Sequence, residues 1–412
     1  MTNLSAQNVI KMASKCLNCK NAPCTKACPV ATNVPKFLQL LKDGEVTRAS
    51  SVITANNPFG AICGAVCPHE KQCQGACVRG IKGEPVQIGT LESFAVANGL
   101  DKLKPTDTTL CGKTVAIVGS GVAGLTCATY LAQKGATVTV YEAQSTIGGV
   151  VATEIPTFRL NKDYLTQLIY AVKQLGVQFK LGVCVGIDVT LLQLSATHDA
   201  VFVATGLMLD GKVGIEGENL VNVVGGKAFL QSPTAGGNVI VIGGGNVAMD
   251  CARTAKRLGA NVTVAYRRGY NQMPACEKEK QDALAEGVTF SYLLAPQKVN
   301  GNNAVSSVTF EEMALGEAGA DGRASIVPTG KTQTLPCDTL IVATGSTFDS
   351  TVLCGTDIKV ERGRVVVNEQ FNAGGNLFFG GDATNKQGTV VWAVKEGKLA
   401  SQSIANFLTN KE

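Results

Sequence analysis

The sequence contains few of the side chains on which hydrolytic enzymes depend. Its 412 residues include only two histidines, His69 and His198, and no nucleophile–base arrangement or metal-hydrolase motif is evident. His69 follows a Cys-Pro pair in a loop and is expected to face solvent, whereas His198 precedes a strand and is expected to be structural. The residue patterns of a hydrolase are therefore missing.

Long runs of one residue class are missing as well. No apolar run reaches the roughly 18 residues of a membrane span, and the net charge of +5 comes without the Lys/Arg cluster that nucleic-acid binding requires. The stretch MTNLSAQNVIKMASK at the start lacks the apolar region of a secretory signal and is predicted to form a short amphipathic helix. We therefore expect a cytoplasmic globular protein that binds neither membranes nor nucleic acid.

Cysteine, by contrast, is abundant. The chain has 15 cysteines, and eight of them lie between Cys16 and Cys77. A disulfide scaffold usually goes with a small secreted domain and an export signal, neither of which is expected here. Clustered cysteines in a cytoplasmic chain instead indicate ligation of a metal or an iron–sulfur cluster.

The spacing within two cysteine sets narrows the choice of metal. The sets read CLNCKNAPCTKACP from Cys16 and CGAVCPHEKQCQGAC from Cys63. Zinc sites usually show paired CxxC motifs, but only one CxxC occurs here. Ferredoxin-type runs end in Cys-Pro, a pair that each set contains. The spacing favours two [4Fe–4S] clusters, with zinc binding and buried free cysteines as the alternatives.

Two glycine-rich turns follow the cysteine region, each between a strand and a helix. KTVAIVGSGVAGL (113–125) precedes the strand TVTVY (137–141), and NVIVIGGGNVAMD (238–250) precedes NVTVAY (261–266). This order of elements is typical of dinucleotide-binding βαβ units. The sequence therefore predicts an α/β fold, in which a helical iron–sulfur domain is followed by two doubly wound Rossmann-like nucleotide-binding domains.

The first turn has the features of an FAD site. Gly119 permits the tight turn, Gly121 lets the pyrophosphate approach the backbone, and Gly124 lets helix and strand pack closely. Glu142 ends the next strand, where its carboxylate can accept hydrogen bonds from ribose hydroxyls. The alternative is a glycine turn in an unrelated α/β domain. The candidate residues of this turn are Gly119, Ser120, Gly121, Val122, Ala123 and Gly124.

The second turn has the features of an NADPH site. Tyr266 stands at the position that corresponds to Glu142, and Arg267 and Arg268 follow it. Guanidinium groups pair with a 2′-phosphate, which a carboxylate would repel, so NADPH is favoured over NADH. Alternatively, both arginines are ordinary surface charges. The candidate residues of this turn are Gly243, Gly244, Gly245 and Asn246.

Further residues are expected to complete the nucleotide sites. Two strands end alike, in VFVATG (201–206) and LIVATG (340–345). Asp382 can bond the ribityl chain of FAD, and a terminal helix from Thr389 can direct its positive end at the flavin ring. These additional candidates are Gly149, Val150, Val185, Thr205, Gly206, Ala343, Thr344, Gly345, Gly381, Asp382 and Thr389.

No catalytic side chain is expected. Disulfide reductases carry a redox CxxC beside the flavin, whereas Cys127, Cys184, Cys251 and Cys276 all stand alone. Hydride transfer from nicotinamide to flavin needs proximity more than a protein acid or base, and electrons can then leave singly through the clusters. The predicted boundaries are 1–110 for the domain with two [4Fe–4S] clusters, 111–232 and 345–412 for the FAD-binding domain, and 233–344 for the NAD(P)H-binding domain.

Almost the whole chain resembles a known electron-input module. This module is shared by the glutamate synthase small subunit and the N-terminal half of dihydropyrimidine dehydrogenase, and the ferredoxin–NADP oxidoreductase large subunit belongs to the same group. The resemblance is carried by CLNCKNAPCTKACP, NPFGAICGAVCP, CQGAC, EPVQIGTLESFA, GSGVAGL, EIPTFRL, GGGNVAMD, YRRG and GGDAT.

The resemblance implies which side chains hold the clusters. One cluster would be ligated by Cys16, Cys19, Cys24 and Cys77, and the other by Cys28, Cys67, Cys73 and Glu92. Cys63 would then be a bystander, and the carboxylate ligand should alter the potential of its cluster. The resemblance also implies that Arg159 lies near FAD. Asn161 replaces the proline that often follows Phe-Arg-Leu in the family, so this loop is expected to differ slightly.

The family resemblance also implies a partner. The chain leaves no room for an FMN-binding barrel, so a second flavoprotein is expected to carry the substrate site in a hetero-oligomer. The short linker AFLQSPTAGGNVIV and the segments NPFGAICGAVCP and TVVWAVKEGK look more like the electron-input subunit of bacterial dihydropyrimidine dehydrogenase, which reduces uracil or thymine. YRRGYNQMP looks more like glutamate synthase, which remains an alternative, as does a zinc-stabilised NADPH diaphorase that acts alone.

Overall fold

The chain divides into two compact units, which are described separately. The computed structural model describes residues 4–100, 103–319 and 324–410 of the chain. The first unit comprises the described residues of Met1–Ala152, Thr157–Leu207 and Phe348–Glu412. The second unit comprises Thr153–Pro156 and the described residues of Met208–Thr347.

The helices and strands are labelled in chain order. The helices are α1 (Ala6–Ala13), α2 (Pro23–Lys26), α3 (Val34–Lys42), α4 (Val46–Thr54), α5 (Gly60–Val66), α6 (Ile88–Gly99), α7 (Val122–Gln133), α8 (Val150–Thr153), α9 (Asp163–Gln174), α10 (Leu191–Thr197), α11 (Gly226–Gln231), α12 (Asn246–Arg257), α13 (Glu277–Ala285) and α14 (Val390–Thr409). The strands are β1 (Thr114–Val118), β2 (Thr137–Glu142), β3 (Gln178–Leu181), β4 (Ala200–Val203), β5 (Leu209–Asp210), β6 (Val223–Gly225), β7 (Asn238–Ile242), β8 (Asn261–Tyr266), β9 (Thr289–Tyr292), β10 (Leu294–Asn300), β11 (Ser307–Ala318), β12 (Ala324–Pro336), β13 (Thr339–Val342), β14 (Ser346–Thr347), β15 (Val360–Glu361), β16 (Arg364–Val365), β17 (Asn372–Gly374) and β18 (Leu377–Phe379).

The N-terminal part of the first unit consists of helices α1 to α6 around one apolar core. In α3 the apolar residues Val34, Phe37, Leu38 and Leu41 recur at helical spacing, and all four are buried. The Asn33 side chain starts this helix by accepting a hydrogen bond from the Lys36 N–H group. The core residues of α3, α4 and α6 pack together, which fixes the loops that carry the cysteines.

The rest of the first unit is a doubly wound sheet. Its strand order is β17-β18-β4-β1-β2-β3, and every neighbouring pair except β17 and β18 is parallel. Residues Val115, Ala116 and Ile117 of β1 are all fully buried, as expected for a parallel strand that is covered on both faces. The glycine turn after β1 thus lies at the carboxyl edge of the sheet, where open α/β sheets bind ligands.

Helices α7 and α14 pack directly against each other. At Gly397 of α14, an added Cβ atom would lie 2.4 Å from the Ala123 carbonyl oxygen of α7. Only glycine therefore permits this backbone approach. The predicted terminal helix from Thr389 is confirmed, because Thr389 is the N-cap residue of α14.

The second unit contains a parallel sheet and an antiparallel one. The parallel sheet has the order β6-β13-β7-β8-β9, with the second glycine turn between β7 and α12. The antiparallel sheet has the order β10-β11-β12, and β5 pairs with β14. Strand β12 is exposed along most of its length.

The predicted fold class is confirmed, since a helical region precedes two doubly wound sheets. Residues 208–232 were expected in the first nucleotide domain, but they lie in the second unit. The reason is that β6 pairs in parallel with β13 of the second sheet. The other domain boundaries stay predictions. Among the helices of the described residues, none is long and apolar enough to cross a membrane.

Candidate cofactor sites

The first ligand group, Cys16, Cys19, Cys24 and Cys77, lines a recess on the helical part of the first unit. The Cys16 and Cys24 thiols lie within electrostatic range of each other and of Cys77, and Cys16 also interacts with Cys19. Burial raises the pKa of Cys16 and of Cys24. Four thiolates can share such a site if cations neutralise them, so the donor set fits an iron–sulfur cluster.

The second ligand group brings Glu92 together with Cys28, Cys67 and Cys73. Burial, and then the Glu92 carboxylate, raise the pKa of Cys28 and of Cys73. Desolvation raises the pKa of Glu92 itself to about 8, because α6 holds this side chain inside the helical core. Cys73 also interacts with Cys24 of the first ligand group, so the two groups adjoin. Three thiols and a carboxyl form a donor set that fits the second cluster.

Cys63 lies beside the second ligand group. Its contact with Cys67 is the main cause that raises the pKa of Cys67, with burial second. Cys63 is buried in α5, where it contributes a thiol to the surroundings of Cys67. Across the described ranges, no three His, Cys, Asp or Glu side chains converge on a single metal ion, as a zinc site would require.

The prediction that His69 faces solvent is wrong. Its Nε2 atom is buried, and it has no hydrogen-bond partner among the described residues. The ring packs against Gly89 of α6, where an added Cβ would lie 2.3 Å from Nε2. Burial lowers the pKa of His69. His198, as predicted, precedes a strand, and its ring contacts Tyr141 edge to face.

Hydrogen bonds to Glu142 fasten the first glycine turn. One carboxylate oxygen, Oε2, accepts from the Ser120 N–H at 2.9 Å and from the Ser120 hydroxyl at 2.6 Å. The other oxygen accepts from the Gln144 N–H at 2.8 Å, and the Ser120 hydroxyl accepts from the Gly148 N–H at 3.1 Å. The side chain expected to bind ribose therefore also holds the turn in shape.

The three glycines of the first turn have different surroundings. Gly119 has a positive φ of 97°. An added Cβ at Gly124 would lie 2.0 Å from the Gly119 carbonyl oxygen, whereas one at Gly121 would meet no described atom within 4 Å. The close approach and the open cradle are those expected of a pyrophosphate-binding turn. Val122 and Ala123 form the first turn of α7, Gly149 lies beside Gly121, and Val150 begins α8.

Two buried hydroxyls mark the carboxyl edge of the first sheet. The Oγ1 atoms of Thr205 and Thr389 are buried and, within the described part of the chain, make no hydrogen bond. Such polar atoms normally have a partner, so they fit a site that binds a polar cofactor such as FAD. Gly206 follows Thr205, Val185 is buried in the apolar core beside this sheet, and Arg159 lies in the turn between α8 and α9.

The segment Gly381–Ala383 forms a 3-10 turn that α14 holds in place. Glu396 of α14 accepts hydrogen bonds from the Gly381 N–H at 2.8 Å and from the Thr384 hydroxyl at 2.7 Å. The Asp382 carbonyl accepts from Arg364 at 3.0 Å. Glu396 was not among the residues predicted from the sequence, although it lies seven residues after Thr389 and so faces the same side of the helix.

The second glycine turn is fastened by a neighbouring loop. The Asn246 side chain accepts from the Cys276 N–H at 2.9 Å and donates to the Cys276 sulfur at 3.7 Å. The Ala275 N–H donates to the Gly244 carbonyl at 3.1 Å. The Tyr266 ring covers Gly244, where an added Cβ would lie 2.6 Å from a ring carbon. Cys276 was not among the candidate residues, since its role follows from a contact across the loop.

The remaining candidates of the second site occupy two loops. Arg267 is exposed after β8, and the Arg268 Nε atom donates to the Ala324 carbonyl of β12 at 2.9 Å. Gly243 lies against the end of β13, where an added Cβ would be 2.4 Å from the Ala343 oxygen. Thr344 and Gly345 follow, whereas Gly245 has open space beside it. The cofactor roles of all these residues stay predictions.

Two protein-family models match the chain. Residues 1–103 match the family described as dihydropyrimidine dehydrogenase domain II, 4Fe-4S cluster, and residues 113–397 match pyridine nucleotide-disulphide oxidoreductase. These domains imply an iron–sulfur cluster together with flavin and NAD(P). The FprA protein of Mycobacterium tuberculosis has the same fold over 72% of this chain and 85% of its own, with a TM-score of 0.62 at 21% identity.

Curated relatives match nearly the full chain. The NADP(+)-dependent formate dehydrogenase subunit beta of Moorella thermoacetica is 37% identical over 94% of this chain, which spans only 60% of that relative. The glutamate synthase [NADPH] small chain of Escherichia coli is 33% identical over 96% of this chain and 90% of its own length. The NAD-dependent dihydropyrimidine dehydrogenase subunit PreT of Escherichia coli is 34% identical over 97% of this chain and 94% of its own length.

Proposed function

This chain belongs to the pyridine nucleotide-disulphide oxidoreductases that carry an N-terminal 4Fe–4S domain, the group of the glutamate synthase small chain and PreT, and we propose that it is an electron-input subunit. It would take electrons from NADPH and pass them, through FAD and two [4Fe–4S] clusters, to a partner flavoprotein. The partner would hold the final substrate, uracil or thymine.

One observation carries this proposal. The eight side chains expected to ligate iron fall into two neighbouring groups of four in the folded chain, although their order in sequence is mixed. Cys77, the last cysteine of the second set, joins the first three cysteines of the first set around one recess. Glu92 completes the second ligand group from α6. Two groups of four ligands support two clusters rather than one.

The first glycine turn would bind FAD through the residues of this chain. The open face of Gly121 can admit a pyrophosphate, and the buried hydroxyls of Thr205 and Thr389 can bond polar cofactor atoms. The α14 N-terminus contributes a positive partial charge at Thr389. Bound FAD would accept a hydride from the nicotinamide and release its electrons singly.

The cluster proposal can be tested by composition. Protein purified without oxygen should contain about eight iron atoms and eight acid-labile sulfides per chain, as two [4Fe–4S] clusters require. The variant Glu92→Ala should keep the cluster of the first ligand group and lose or alter the other, which EPR spectra would resolve. Zinc without sulfide, or iron for only one cluster, would contradict the proposal.

The choice of NADPH rests on the arginines after β8. Arg267 is the cleaner target, because Arg268 also holds the Ala324 carbonyl of β12. Hydrogen bonds to charged groups contribute about 1.5–3 kcal/mol, so Arg267→Ala should raise KM for NADPH roughly 10- to 100-fold and leave KM for NADH unchanged. Lys278→Ala on the same unit removes an exposed cation and serves as the control. An equal loss for both nucleotides would contradict this assignment.

Similarity to named relatives supports two candidates for the final substrate. PreT is a named dihydropyrimidine dehydrogenase subunit, and this chain spans 94% of it. The second candidate is a glutamate synthase, favoured by the segment YRRGYNQMP and by the match to 90% of the small chain of Escherichia coli.

The deciding experiment is an anaerobic pull-down from the native host. The purified complex would be assayed for NADPH oxidation with uracil, and separately with glutamine plus 2-oxoglutarate. Uracil-dependent oxidation would support the proposal, whereas glutamine-dependent oxidation would identify the chain as a subunit of a glutamate synthase, the second candidate. A Cys77→Ala variant should lose substrate-dependent oxidation but keep NADPH oxidation with an artificial acceptor that reacts directly with flavin. Turnover with artificial acceptors alone, and no partner, would overturn the role as a subunit.

A further inference from the structure

Asn56 lies in the turn after α4 and contacts three separate parts of the first unit. Its side-chain amide donates a hydrogen bond of 2.8 Å to the Val30 carbonyl. Val30 lies two residues after Cys28, which belongs to the second ligand group. This bond therefore holds the loop that presents Cys28.

The other polar atoms of Asn56 bind two helices of the sheet region. The Tyr130 hydroxyl of α7 donates to the Asn56 backbone carbonyl at 2.7 Å. The Lys398 ammonium of α14 donates to the Asn56 side-chain oxygen and lies 5.7 Å from the centre of the Tyr130 ring. One asparagine thus joins the Cys28 loop, α7 and α14.

These two helices are the ones that begin at the predicted flavin residues. Helix α7 starts directly after Gly121, and α14 starts after Thr389. The helices touch backbone to backbone at Gly397 and Ala123, so they form a stiff pair. The contacts of Asn56 therefore link the two helices of the proposed flavin site to the loop that presents Cys28.

Burying this polar network costs free energy, because the Lys398 ammonium loses part of its hydration. Lys398 is half-buried, and burial lowers its pKa. A desolvated ammonium that bonds only neutral groups is a weak source of stability. Polar networks whose members are satisfied do, however, specify a single arrangement of the elements they join.

We propose that Asn56, Tyr130 and Lys398 are positioning residues, which set the distance between the second cluster and the flavin and so the rate of electron transfer between them. This inference rests on the proposed function. Each hydride brings two electrons, each oxidised cluster takes one, and the proton of the reduced flavin passes to solvent.

The test uses variants that remove one contact at a time from the full-length holoprotein. Tyr130→Phe removes only the hydroxyl, and Lys398→Met removes the charge but keeps the apolar stem. Lys398→Arg restores a cation that can reach the Asn56 oxygen. The matched controls are Tyr170→Phe on the exposed face of α9 and Lys395→Met on α14, where Lys395 packs over the Trp392 ring instead.

Two rates are measured after anaerobic mixing with NADPH. Flavin reduction is followed by its absorbance, and cluster reduction by freeze-quench EPR. We expect Tyr130→Phe and Lys398→Met to leave flavin reduction unchanged and to slow cluster reduction severalfold, because the rate of electron tunnelling falls exponentially with the distance between donor and acceptor. Lys398→Arg should recover most of the lost rate, and both controls should behave as the native chain.

A second readout does not depend on turnover. Hydrogen–deuterium exchange in the peptide around Asn56 should increase in Tyr130→Phe and Lys398→Met and stay unchanged in the controls. Native rates of cluster reduction in both variants, or an equal fall in flavin and cluster reduction, would overturn the inference. If the native chain shows no cluster reduction by NADPH, the proposed function fails. The contact network would still stand if hydrogen–deuterium exchange around Asn56 responds to the variants.

Discussion

The two glycine turns have nearly the same backbone pattern but are fastened by different chemistry. A carboxylate, Glu142, holds the first turn through three hydrogen bonds from Ser120 and Gln144. The Tyr266 ring covers the second turn, and Asn246 fastens it to Cys276. The first turn is thus held by a negative charge, and the second by an amide, a thiol and an aromatic ring.

This difference supports the proposal that one motif serves two cofactors. In the first turn, the same carboxylate that shapes the backbone is placed where a ribose would bind. In the second, the fastening groups named above carry no charge, and the exposed Arg267 follows the end of β8. A phosphate on the ribose would meet repulsion in the first turn and attraction in the second. The following variants test this contrast.

The largest effect is expected at the third position of the two motifs, Gly124 and Ala248. In Gly124→Ala the new Cβ would lie 2.0 Å from the Gly119 oxygen, so the backbone must shift, at a cost of about 3 kcal/mol, and FAD should be lost. Ala248→Gly should cost only about 1 kcal/mol and retain FAD. Denaturant unfolding measures the stability of the two variants, and flavin absorbance measures their FAD content. Native flavin content in Gly124→Ala would refute the importance of this close approach.

The next effect concerns the last residue of the second strand in each βαβ unit, Glu142 of β2 and Tyr266 of β8. Glu142→Gln places an NH2 group against N–H and O–H donors, so we expect a loss of about 2 kcal/mol and weaker FAD binding. Tyr266→Phe removes one hydrogen bond to the Gln272 carbonyl, at 2.9 Å, and should cost about 1 kcal/mol without loss of FAD. Equal losses of FAD in the two variants would show that the turns are not fastened differently.

A smaller effect is expected from the contact between Asn246 and Cys276. Asn246→Ala leaves the Cys276 N–H without its acceptor, and we expect about 1 kcal/mol, or roughly a fivefold rise in KM for NADPH, with an unchanged flavin spectrum. Cys276→Ser keeps this N–H and should change KM less than about twofold. Steady-state kinetics measure the KM for NADPH of both variants. A native KM in Asn246→Ala would exclude a positioning role for the contact between Asn246 and Cys276.

The smallest effect is a dependence of stability on pH through Glu396. Burial raises the pKa of Glu396 above its ordinary value of 4.5. An acid with a raised pKa in the folded state stabilises the fold below the pKa of the unfolded chain and loses this contribution as pH rises through the folded value. The unfolding free energy of the native chain, relative to Glu396→Gln, should therefore fall as the pH rises above 4.5. If the unfolding free energies of the native chain and of Glu396→Gln change with pH in parallel, burial does not raise the pKa of Glu396.

Local patterns predicted most of the fold. The strand–glycine–helix units, the contrast between Glu142 and Tyr266 and the start of α14 all follow from short stretches of sequence, because each is formed by neighbouring residues. Contacts between distant residues could not be predicted in this way. Asn56 and Lys398 are 342 positions apart, and the burial of His69 depends on α6. The boundary near 208 likewise depends on which strand β6 pairs with.

The interrupted course of the first unit has a consequence for biosynthesis. Strands β1, β2 and β4 precede residue 208, whereas β18 and α14 follow residue 347. A ribosome delivers the chain from its N-terminus, and domains tend to fold as they emerge. A nascent chain that ends at residue 347 holds every residue of the second unit, yet it still lacks Gly381, Asp382 and Thr389. Such a nascent chain cannot close its proposed flavin site, so flavin insertion would have to wait until α14 has emerged from the ribosome.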